Sequence, residues 1–455
     1  MLFNSYFFIF CFLPTAFLIF YAIGLTRQKT LVKLFLVFAS LFFYGFFNWN
    51  YLYLIAASLL INYVLINGVR ITRKRILLCA GIVFNVGVIS YFKYYNFFLS
   101  NINAVFDIHL PYKNIFLPLA ISFFTLQKIA FLIDAYRGKV EAFSFLDYCC
   151  FVLFFPQLIA GPIVLPKEIF PQINAQYFGR WNWPLITEGF VLFWVGMAKK
   201  VLVADSLAPW AETAFNHTGN VSFVDAWVGA LAFAFQIYFD FSGYSDMAIG
   251  LGKMFGINLP INFRAPYSAC DIRDFWKRWH MTLSRFLREY LYFSLGGNRL
   301  GALWQYRNIM IVMLIGGLWH GAKWNFIIWG GIHAIYICLN HMTEKLKFQI
   351  SPWLSRIVTF IAVVLAWVFF RAGTFTDAIN MLKGMLGMHG FDLSMNTQYL
   401  VLILIYLVTV FEERIEKFFR TKVSGHMCGA VAIGLAMALG IIFIKRTSSF
   451  LYFQF

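Results

Sequence analysis

Charged residues are scarce in this sequence. Asp, Glu, Lys and Arg make up 13% of its 455 residues, whereas a soluble domain carries about 25%. Hydrophobic residues account for 61% and aromatic residues for 20%. So few charged residues cannot cover a water-facing surface, and most of the chain must therefore face lipid. The composition excludes a soluble globular protein and predicts one that crosses a membrane many times.

Acidic residues are the scarcer of the charged groups, with 20 Asp and Glu against 37 Lys and Arg and a formal net charge of +17. A positive excess can indicate a nucleic-acid partner. We reject that interpretation because the basic residues form short clusters between apolar runs, as topology signals and contacts to anionic membrane lipids do. The positive-inside rule places the first two clusters in the cytoplasm and the N-terminus outside. These clusters are Arg27, Lys29 and Lys33, and Arg70, Arg73, Lys74 and Arg75.

Motifs of soluble enzymes are missing. No CxxC spacing occurs among the seven cysteines, so neither a zinc site nor a disulfide framework is predicted. The sequence has no Walker, GxSxG or HExxH motif. Gly250, Gly252 and Gly256 do not have the GxGxxG spacing of a dinucleotide-binding loop. We therefore expect no bound metal.

What the sequence does contain is a series of apolar runs, enough for roughly ten or eleven spans of about 20 residues. Several runs are short or carry Gly, Pro or charge, which favours re-entrant or tilted helices that line a protein interior. No internal repeat and no long linker divides them. We predict an all-α, polytopic membrane protein with a single domain over residues 1–455.

One stretch, residues 271–292, is basic and aromatic and reads DIRDFWKRWHMTLSRFLREYLY. Its apolar residues recur at helical spacing, which predicts one amphipathic helix at the membrane interface. On such a helix Trp276, His280 and Ser284 share a stripe at i, i+4 and i+8. Two roles stay open for His280, a polar-tipped aromatic residue of the interface or a functional group.

His320 lies near the end of the run IVMLIGGLWHG, which has no charge before it. An ionisable group at that depth is costly and faces the protein interior or a water-filled path. Apolar surroundings disfavour the imidazolium, and a neutral imidazole can accept a proton from a hydroxyl group. The flanking Gly316, Gly317 and Gly321 would let backbone or ligand come close. The residues alone leave catalysis and a hydrogen-bonded structural role equally open.

Two aspartates and a further histidine near apolar runs are expected to be structural. Asp240 and Asp246, in QIYFDFSGYSDMAIG, should pair with Arg or Lys to hold the fold. His333 would lie close to the opposite face of a continuous helix from the WHG histidine, a rotation of about 220°. Lys199 and Lys200 fit two roles equally well, cytoplasmic anchors or contacts to an anionic cofactor.

Together these stretches resemble the membrane-bound O-acyltransferase family, in the branch of the bacterial alginate and peptidoglycan O-acetyltransferase membrane subunits. The resemblance covers nearly everything after Pro118, and the motif series in this order is highly specific. The matching segments are PLAISFFTLQKIAFLIDAYRG (118–138), FFPQLIAGPI (154–163), YFDFSGYSDMAIGLGKMFGINLPINFRAPY (238–267), DFWKRWHMTLSRFLREYLYFSLGGNR (274–299), GLWHGAKWNFIIWGGIH (317–333), LAWVFFRAGTFTDA (365–378) and FLYFQF (450–455).

The resemblance implies a helical fold around a central tunnel, with a motif-bearing core at residues 118–378 and C-terminal spans at 379–455. It implies that His320, in LWHG, is the general base or orients the acceptor hydroxyl at the thioester. It implies that His280, in RWH, lines the outer part of the route or assists proton transfer. The residues implied to line the tunnel or contact substrate are Trp319, Trp279, Trp276, Ser284, Asn325, Asp246, Tyr244 and Gln157.

The resemblance further implies a bacterial inner-membrane enzyme that moves acetyl from cytoplasmic acetyl-CoA to a cell-envelope or exported polysaccharide. The acceptor would be reached directly or through a periplasmic partner that resembles an acetyltransferase or esterase. One alternative is D-alanyl transfer to teichoic acid from a carrier-protein thioester, which the long tail after Phe370 fits less well. Another is a glycan or lipid transporter, which would also bury His and Asp but often shows internal repeats.

Overall fold

The structure of the chain, a computed structural model, describes residues 1–345, 351–391, 397–418, 427–444 and 450–451. All regular elements within these ranges are helices, which confirms the all-helical prediction. A helix satisfies its own backbone N–H and C=O groups, as a segment in lipid must. Parts of the predicted C-terminal spans, and residues 452–455 of the family-like ending, lie outside the described residues.

Five helices in the described residues are at least 18 residues long and apolar enough to cross a bilayer. They are Asn50–Thr72, Arg75–Phe106, Phe223–Met254, Trp324–Glu344 and Pro352–Arg371. Composition predicts roughly ten or eleven spans at about 20 residues each. The difference arises because the other apolar runs form shorter helices, such as Phe8–Gly24 and Gly429–Phe443. These agree with the expectation of short or interrupted membrane helices.

The helices pack as two compact units. The first unit comprises Met1–Gly196 and Tyr244–Ile261, and the second comprises Met197–Gly243 and Asn262–Phe455. One long helix, Phe223–Met254, contributes residues to both units. The division is one of packing, and the single-domain organisation stays a prediction.

The first unit is a set of apolar helices held by a few polar contacts. The Lys33 ammonium and Oδ1 of Asp147 form an ion pair at 2.5 Å. Asn62 and Asn85 exchange side-chain hydrogen bonds inside the unit. The helices are α1 (Leu13–Gly24), α2 (Lys29–Gly45), α3 (Asn50–Thr72), α4 (Arg75–Ile89), α5 (Tyr95–Phe106), α6 (Ile121–Tyr136), α7 (Phe145–Leu153), α8 (Phe155–Leu158), α9 (Pro166–Asn174) and α10 (Trp183–Ala198). Short π-helical segments adjoin them at Phe8–Phe12 and Ser90–Tyr94.

The second unit contains both of the histidines predicted to be catalytic. Its buried core is rich in aromatic side chains from several helices. These helices are α11 (Asp205–Asn216), α12 (Phe223–Met254), α13 (Ile272–Arg278), α14 (Met281–Phe286), α15 (Ala302–His320), α16 (Trp324–Lys345), α17 (Pro352–Arg371), α18 (Phe375–Met385), α19 (Gln398–Phe418) and α20 (Met427–Phe443). π-Helical segments lie at Lys199–Ala204 and Leu287–Tyr292, and a 3-10 turn at Pro266–Ser268.

Helices α15 and α16 form a tight hairpin around the WHG motif. A Cβ atom at Gly317 would lie 2.2 Å from the carbonyl oxygen of Phe326, and one at Gly330 would lie 2.2 Å from that of Met313. Only glycine permits backbones to approach so closely. At Gly321 a Cβ would lie 2.2 Å from the ring of Phe326. The space beside Gly317 and Gly321 is therefore filled by Phe326 of the same chain. This close packing fixes the turn that carries His320.

The stretch 271–292 is not one continuous helix, and the predicted Trp276–His280–Ser284 stripe is wrong. Helix α13 ends at Arg278, and α14 begins only at Met281. His280 has φ 41° and ψ 54°, in the left-handed region that costs about 1–2 kcal/mol for a residue with a side chain. The break is held by the Met281 N–H, which donates to the Asn262 carbonyl oxygen at 2.8 Å. This long-range contact overrides the local helical pattern.

Candidate active site

His320 is the last residue of α15, and the chain turns to extended backbone at Gly321. Its side chain is buried, with 5% of its surface exposed. Three aromatic rings surround it, those of Trp319 at 5.0 Å, Trp329 at 5.0 Å and Phe370 at 5.2 Å between centroids. The predicted histidine thus lies in a buried, aromatic-lined site inside the second unit.

His280 lies at the break between α13 and α14 and is completely buried. Phe241 of α12 presents an edge-on contact at 4.7 Å between ring centroids and 86° between planes. Phe263 stacks on the imidazole at 6.2 Å. The strained backbone at the break therefore turns this side chain into the aromatic core instead of leaving it at the interface.

Asn262 holds the imidazole of His280. Its Oδ1 lies 3.1 Å from Nδ1 of His280, and it also accepts hydrogen bonds from the Thr282 hydroxyl at 2.9 Å and the Thr282 N–H at 3.3 Å. Because a carboxamide oxygen only accepts, Nδ1 of His280 carries the proton and Nε2 is left with a lone pair. Nε2 is therefore the hydrogen-bond acceptor of the His280 ring.

Sequence reasoning did not identify Asn262, although it stands inside the quoted segment INLPINFRAPY. The available signal was a polar residue between two apolar ones, close to Pro260. The partner of its side chain lies 18 residues away, so local periodicity could not reveal the contact.

Burial lowers the pKa of His280, which lies outside the five long apolar helices, to about 3. The cause is desolvation, since moving an imidazolium out of water costs free energy. The ring is therefore neutral at physiological pH, in keeping with the tautomer set by Asn262.

The ring of Trp319 lies close to both histidines. It lies 5.0 Å from that of His320 and 6.2 Å from that of His280, again between centroids. The indole is itself buried, at 7% exposure. The two histidines, 40 positions apart in the sequence, therefore both contact one predicted tunnel-lining residue.

The other predicted residues of the second unit lie in or around this aromatic core. Trp279 is buried and lies 5.0 Å from Trp367 between ring centroids. Trp276 contacts Trp329 at 5.8 Å. The Ser284 hydroxyl donates to the carbonyl oxygen of Trp279 at 3.3 Å. The structure places these groups near the histidines, and their contact with substrate stays a prediction.

Asn325 is buried beside the WHG turn, where its Nδ2 donates to the Ala372 carbonyl oxygen at 2.9 Å. This bond joins the start of α16 to the end of α17. A structural function for the carboxamide is therefore visible, beside the predicted contact with substrate.

The three remaining predicted lining residues belong to the first unit. Gln157 is buried, and its Nε2 donates to the Phe151 carbonyl oxygen at 2.6 Å. Tyr244 is buried and stacks on Phe3 at 4.8 Å between ring centroids. Asp246 is half-buried on α12. Their role in a tunnel stays a prediction.

The buried charges in the second unit are compensated, as expected for Asp240. Nζ of Lys200 lies 2.5 Å from Oδ1 of Asp240 and 2.8 Å from Oδ1 of Asp205. Lys199 pairs with Glu412 at 2.9 Å. Both lysines are thus tied to carboxylates of the protein. The pairing predicted for Asp246 stays a prediction.

His333 lies one helical turn after Trp329 on α16 and is completely buried. Its ring contacts Trp329 at 4.9 Å, Trp276 at 5.2 Å and Phe275 at 6.0 Å between centroids. Neither ring nitrogen has a hydrogen-bond partner among the described protein atoms. Within the described ranges, no group of three His, Cys, Asp or Glu side chains is arranged to hold a metal ion.

Comparison with known proteins agrees with this arrangement. The sequence model of the membrane-bound O-acyltransferase family matches residues 111–376, more than half of the chain. A peptidoglycan O-acetyltransferase of Helicobacter pylori is 46% identical over 430 residues, which cover 86% of this chain and 81% of the relative. A probable alginate O-acetylase AlgI of Azotobacter vinelandii is 40% identical over 409 residues, covering 87% and 80%. A teichoic acid D-alanyltransferase of Streptococcus thermophilus is 27% identical over 249 residues, covering 51% and 59%.

The chain belongs to the membrane-bound O-acyltransferase family. It is an O-acyltransferase, and its relatives at 40% identity or more are named as O-acetyltransferases or O-acetylases. The teichoic acid D-alanyltransferase is a more distant relative.

Proposed function

We propose that this chain moves an acetyl group from cytoplasmic acetyl-CoA across the membrane to a hydroxyl group of a cell-envelope or exported polysaccharide, of peptidoglycan or alginate type. The observation that carries the proposal is that His320 and His280 both lie against the ring of Trp319 in one buried aromatic site. The choice of acetyl as the transferred group and of a polysaccharide as the acceptor is supported by the names of the relatives.

His320 acts as the general base in this proposal. Its imidazole takes the proton of the acceptor hydroxyl as the oxygen attacks the thioester carbonyl carbon. The new C–O bond forms, the C–S bond breaks, and the departing thiolate takes the proton from the imidazolium. The aromatic rings of Trp319, Trp329 and Phe370 keep water away, which limits hydrolysis of the thioester.

His280 lines the outer part of the route and assists proton transfer through Nε2, since Asn262 keeps the proton on Nδ1. The residues that we assign to this lining are Trp319, Trp279, Trp276, Ser284, Asn325, Asp246, Tyr244 and Gln157.

The enzyme lies in the bacterial inner membrane with its N-terminus outside and its first two basic clusters in the cytoplasm. The excess of Lys and Arg over acidic residues supports contacts of these clusters with anionic lipids. A periplasmic partner of the acetyltransferase or esterase type passes the group on where the glycan is not the immediate acceptor.

Replacement of His320 by Ala tests the proposal. Membrane vesicles with equal amounts of inserted protein receive acetyl-labelled acetyl-CoA, and base-labile acetyl on peptidoglycan and on alginate is counted. His217→Ala, the same change at an exposed histidine, is the matched control. We expect the variant at His320 to lose transfer and the control to keep it. Full transfer without His320 would refute the assignment.

The same vesicles separate the donor classes. A D-alanyl carrier-protein thioester and acetyl-CoA are supplied in parallel, with teichoic acid as the third acceptor. We expect transfer from acetyl-CoA alone. Transfer of D-alanine would move this chain to the more distant branch, and export of glycan without any thioester consumed would indicate a transporter.

A further inference from the structure

Two residues near the end of the sequence pack against the part of α12 that contacts His280. Phe450 and Leu451 are buried, at 3% and 5% exposure. They contact two adjacent residues of α12, Asp240 and Phe241, one through the backbone and one through a side chain. We name this pair of contacts the 450–451 clasp.

The backbone contact of the clasp completes a buried charge network. Asp240 is 1% exposed, and its Oδ1 pairs with Nζ of Lys200. Lys200 also pairs with Asp205, so one ammonium serves two carboxylates. The N–H of Leu451 donates to the second oxygen of Asp240 at 2.9 Å. A buried carboxylate with further hydrogen bonds is much cheaper than one without them, so this N–H fixes residue 451 at that point of α12.

The side-chain contact of the clasp leads to His280. The rings of Phe450 and Phe241 lie 5.7 Å apart at 61°. Phe241 also meets the imidazole of His280 edge-on, at 4.7 Å between ring centroids. Asn262 holds the same imidazole through Nδ1. The imidazole is thus fixed between a hydrogen bond and an aromatic edge, and the clasp supports that edge.

We infer that Phe450 and Leu451 are positioning residues that hold Phe241 against His280 and so orient its Nε2 for proton transfer. This inference rests on the proposed function, because it needs His280 to take part in the reaction. A small misplacement of a catalytic group lowers the rate while leaving binding of the donor largely intact.

Phe450→Ala removes the ring, and we expect kcat for acetyl transfer in vesicles to fall about tenfold, with KM for acetyl-CoA within about twofold. Phe450→Leu keeps an apolar side chain of similar volume and should recover most of the rate. Phe215→Ala is the matched control, since it also removes a buried ring, one that packs on Phe233. It should keep the kcat of the parent protein.

Leu451→Pro and Leu451→Val separate the backbone contact from the side chain. Proline has no N–H to donate to Asp240, whereas valine keeps it. We expect kcat to fall about tenfold in the proline variant and to stay within about twofold in the valine variant. This pair decides the question if Phe450→Ala does not insert.

A double mutant tests whether the clasp acts through His280. In a His280→Ala protein, Phe450→Ala should cause no further loss of kcat, because the group that it orients is gone. An equal loss in both backgrounds, or parental kcat in Phe450→Ala and Leu451→Pro, would overturn the inference. Transfer that survives His320→Ala would instead refute the proposed function, so the two failures are distinct.

Discussion

Oδ1 of Asn262 and Nδ1 of His280 lie 3.1 Å apart, which fixes the tautomer of a buried imidazole. Asn262→Ala would remove the acceptor from His280 Nδ1 and from the Thr282 hydroxyl together. Leaving such buried donors unpaired costs about 1–3 kcal/mol, and the ring loses its orientation. We expect at least a tenfold loss of acetyl transfer, about the effect of a misplaced catalytic group. Initial rates in vesicles at matched protein amount measure it.

Asn308→Ala is the control for this prediction. Asn308 is equally buried in the same unit, and its Nδ2 donates to the Gly297 carbonyl oxygen at 2.7 Å. It should lose stability without a comparable loss of rate per folded molecule. Equal rates per folded molecule for Asn262→Ala and the parent protein would show that the tautomer does not matter.

The stability of the protein should depend on pH through His280. Its pKa is about 3 in the folded state and 6.5 when exposed. The unfolded chain therefore binds the additional proton below about pH 6.5, and the contribution to stability is lost as the pH falls from there toward about 3. The slope is at most about 1.4 kcal/mol per pH unit. Thermal unfolding in detergent between about pH 7 and pH 5 measures it.

His280→Asn should make this pH dependence shallower, because asparagine does not titrate in the range. Acetyl transfer by the parent protein should show no change that follows protonation of His280 over the same interval. An unchanged slope in the variant would mean that another buried group carries the effect.

The polytopic helical fold could be predicted because a long apolar run with few charges indicates a segment that is surrounded by lipid, and a continuous run of that kind spans the membrane as a helix. His320 could be singled out as a candidate because one ionisable residue after an uncharged run is costly in lipid, and its catalytic role stays a prediction. The helix break at His280 could not be predicted, because the apolar residues of 271–292 keep helical spacing across the break. The break depends on Asn262, whose backbone and side chain both contact the turn.

The buried charge of Asp240 shows the same limit. Its cost predicted a basic partner, and Lys200 is that partner. The third member, Asp205, lies five residues after Lys200, whereas the fourth, the N–H of Leu451, has no local signal because it lies 211 residues from Asp240 in the sequence. The sequence therefore shows that a buried carboxylate requires partners, whereas the tertiary packing determines which residues are those partners.

His333 should tolerate replacement by Phe, although it is as buried as the two histidines that we propose to be catalytic. Neither of its ring nitrogens has a hydrogen-bond partner among the described protein atoms. Burying such groups costs about 1–3 kcal/mol, and phenylalanine keeps the aromatic packing without that cost. We expect His333→Phe to have an equal or higher unfolding temperature and at least half of the parental acetyl transfer. The same substitution at His320 should abolish transfer.

Loss of transfer in folded His333→Phe would contradict this and would extend the site along α16. The comparison with His320→Phe controls for the substitution itself, since both rings lie against Trp329.

The hairpin of α15 and α16 should be sensitive to single methyl groups at some glycines and indifferent at others. Gly317→Ala would place a Cβ 2.2 Å from the Phe326 carbonyl oxygen, and because that atom is backbone the two helices must separate. At Gly331 the nearest atom to a new Cβ is a Leu314 methyl at 3.6 Å, an ordinary contact. Gly331→Ala should therefore leave the free energy of unfolding unchanged or raise it by up to about 1 kcal/mol, because alanine has the better helix propensity.

Gly317→Ala should lower both the unfolding temperature and acetyl transfer, because the turn that carries His320 depends on the close approach of the two helices. Thermal unfolding and vesicle assays on the pair measure this, and equal behaviour of the two variants would show that the hairpin relaxes without displacing the histidine.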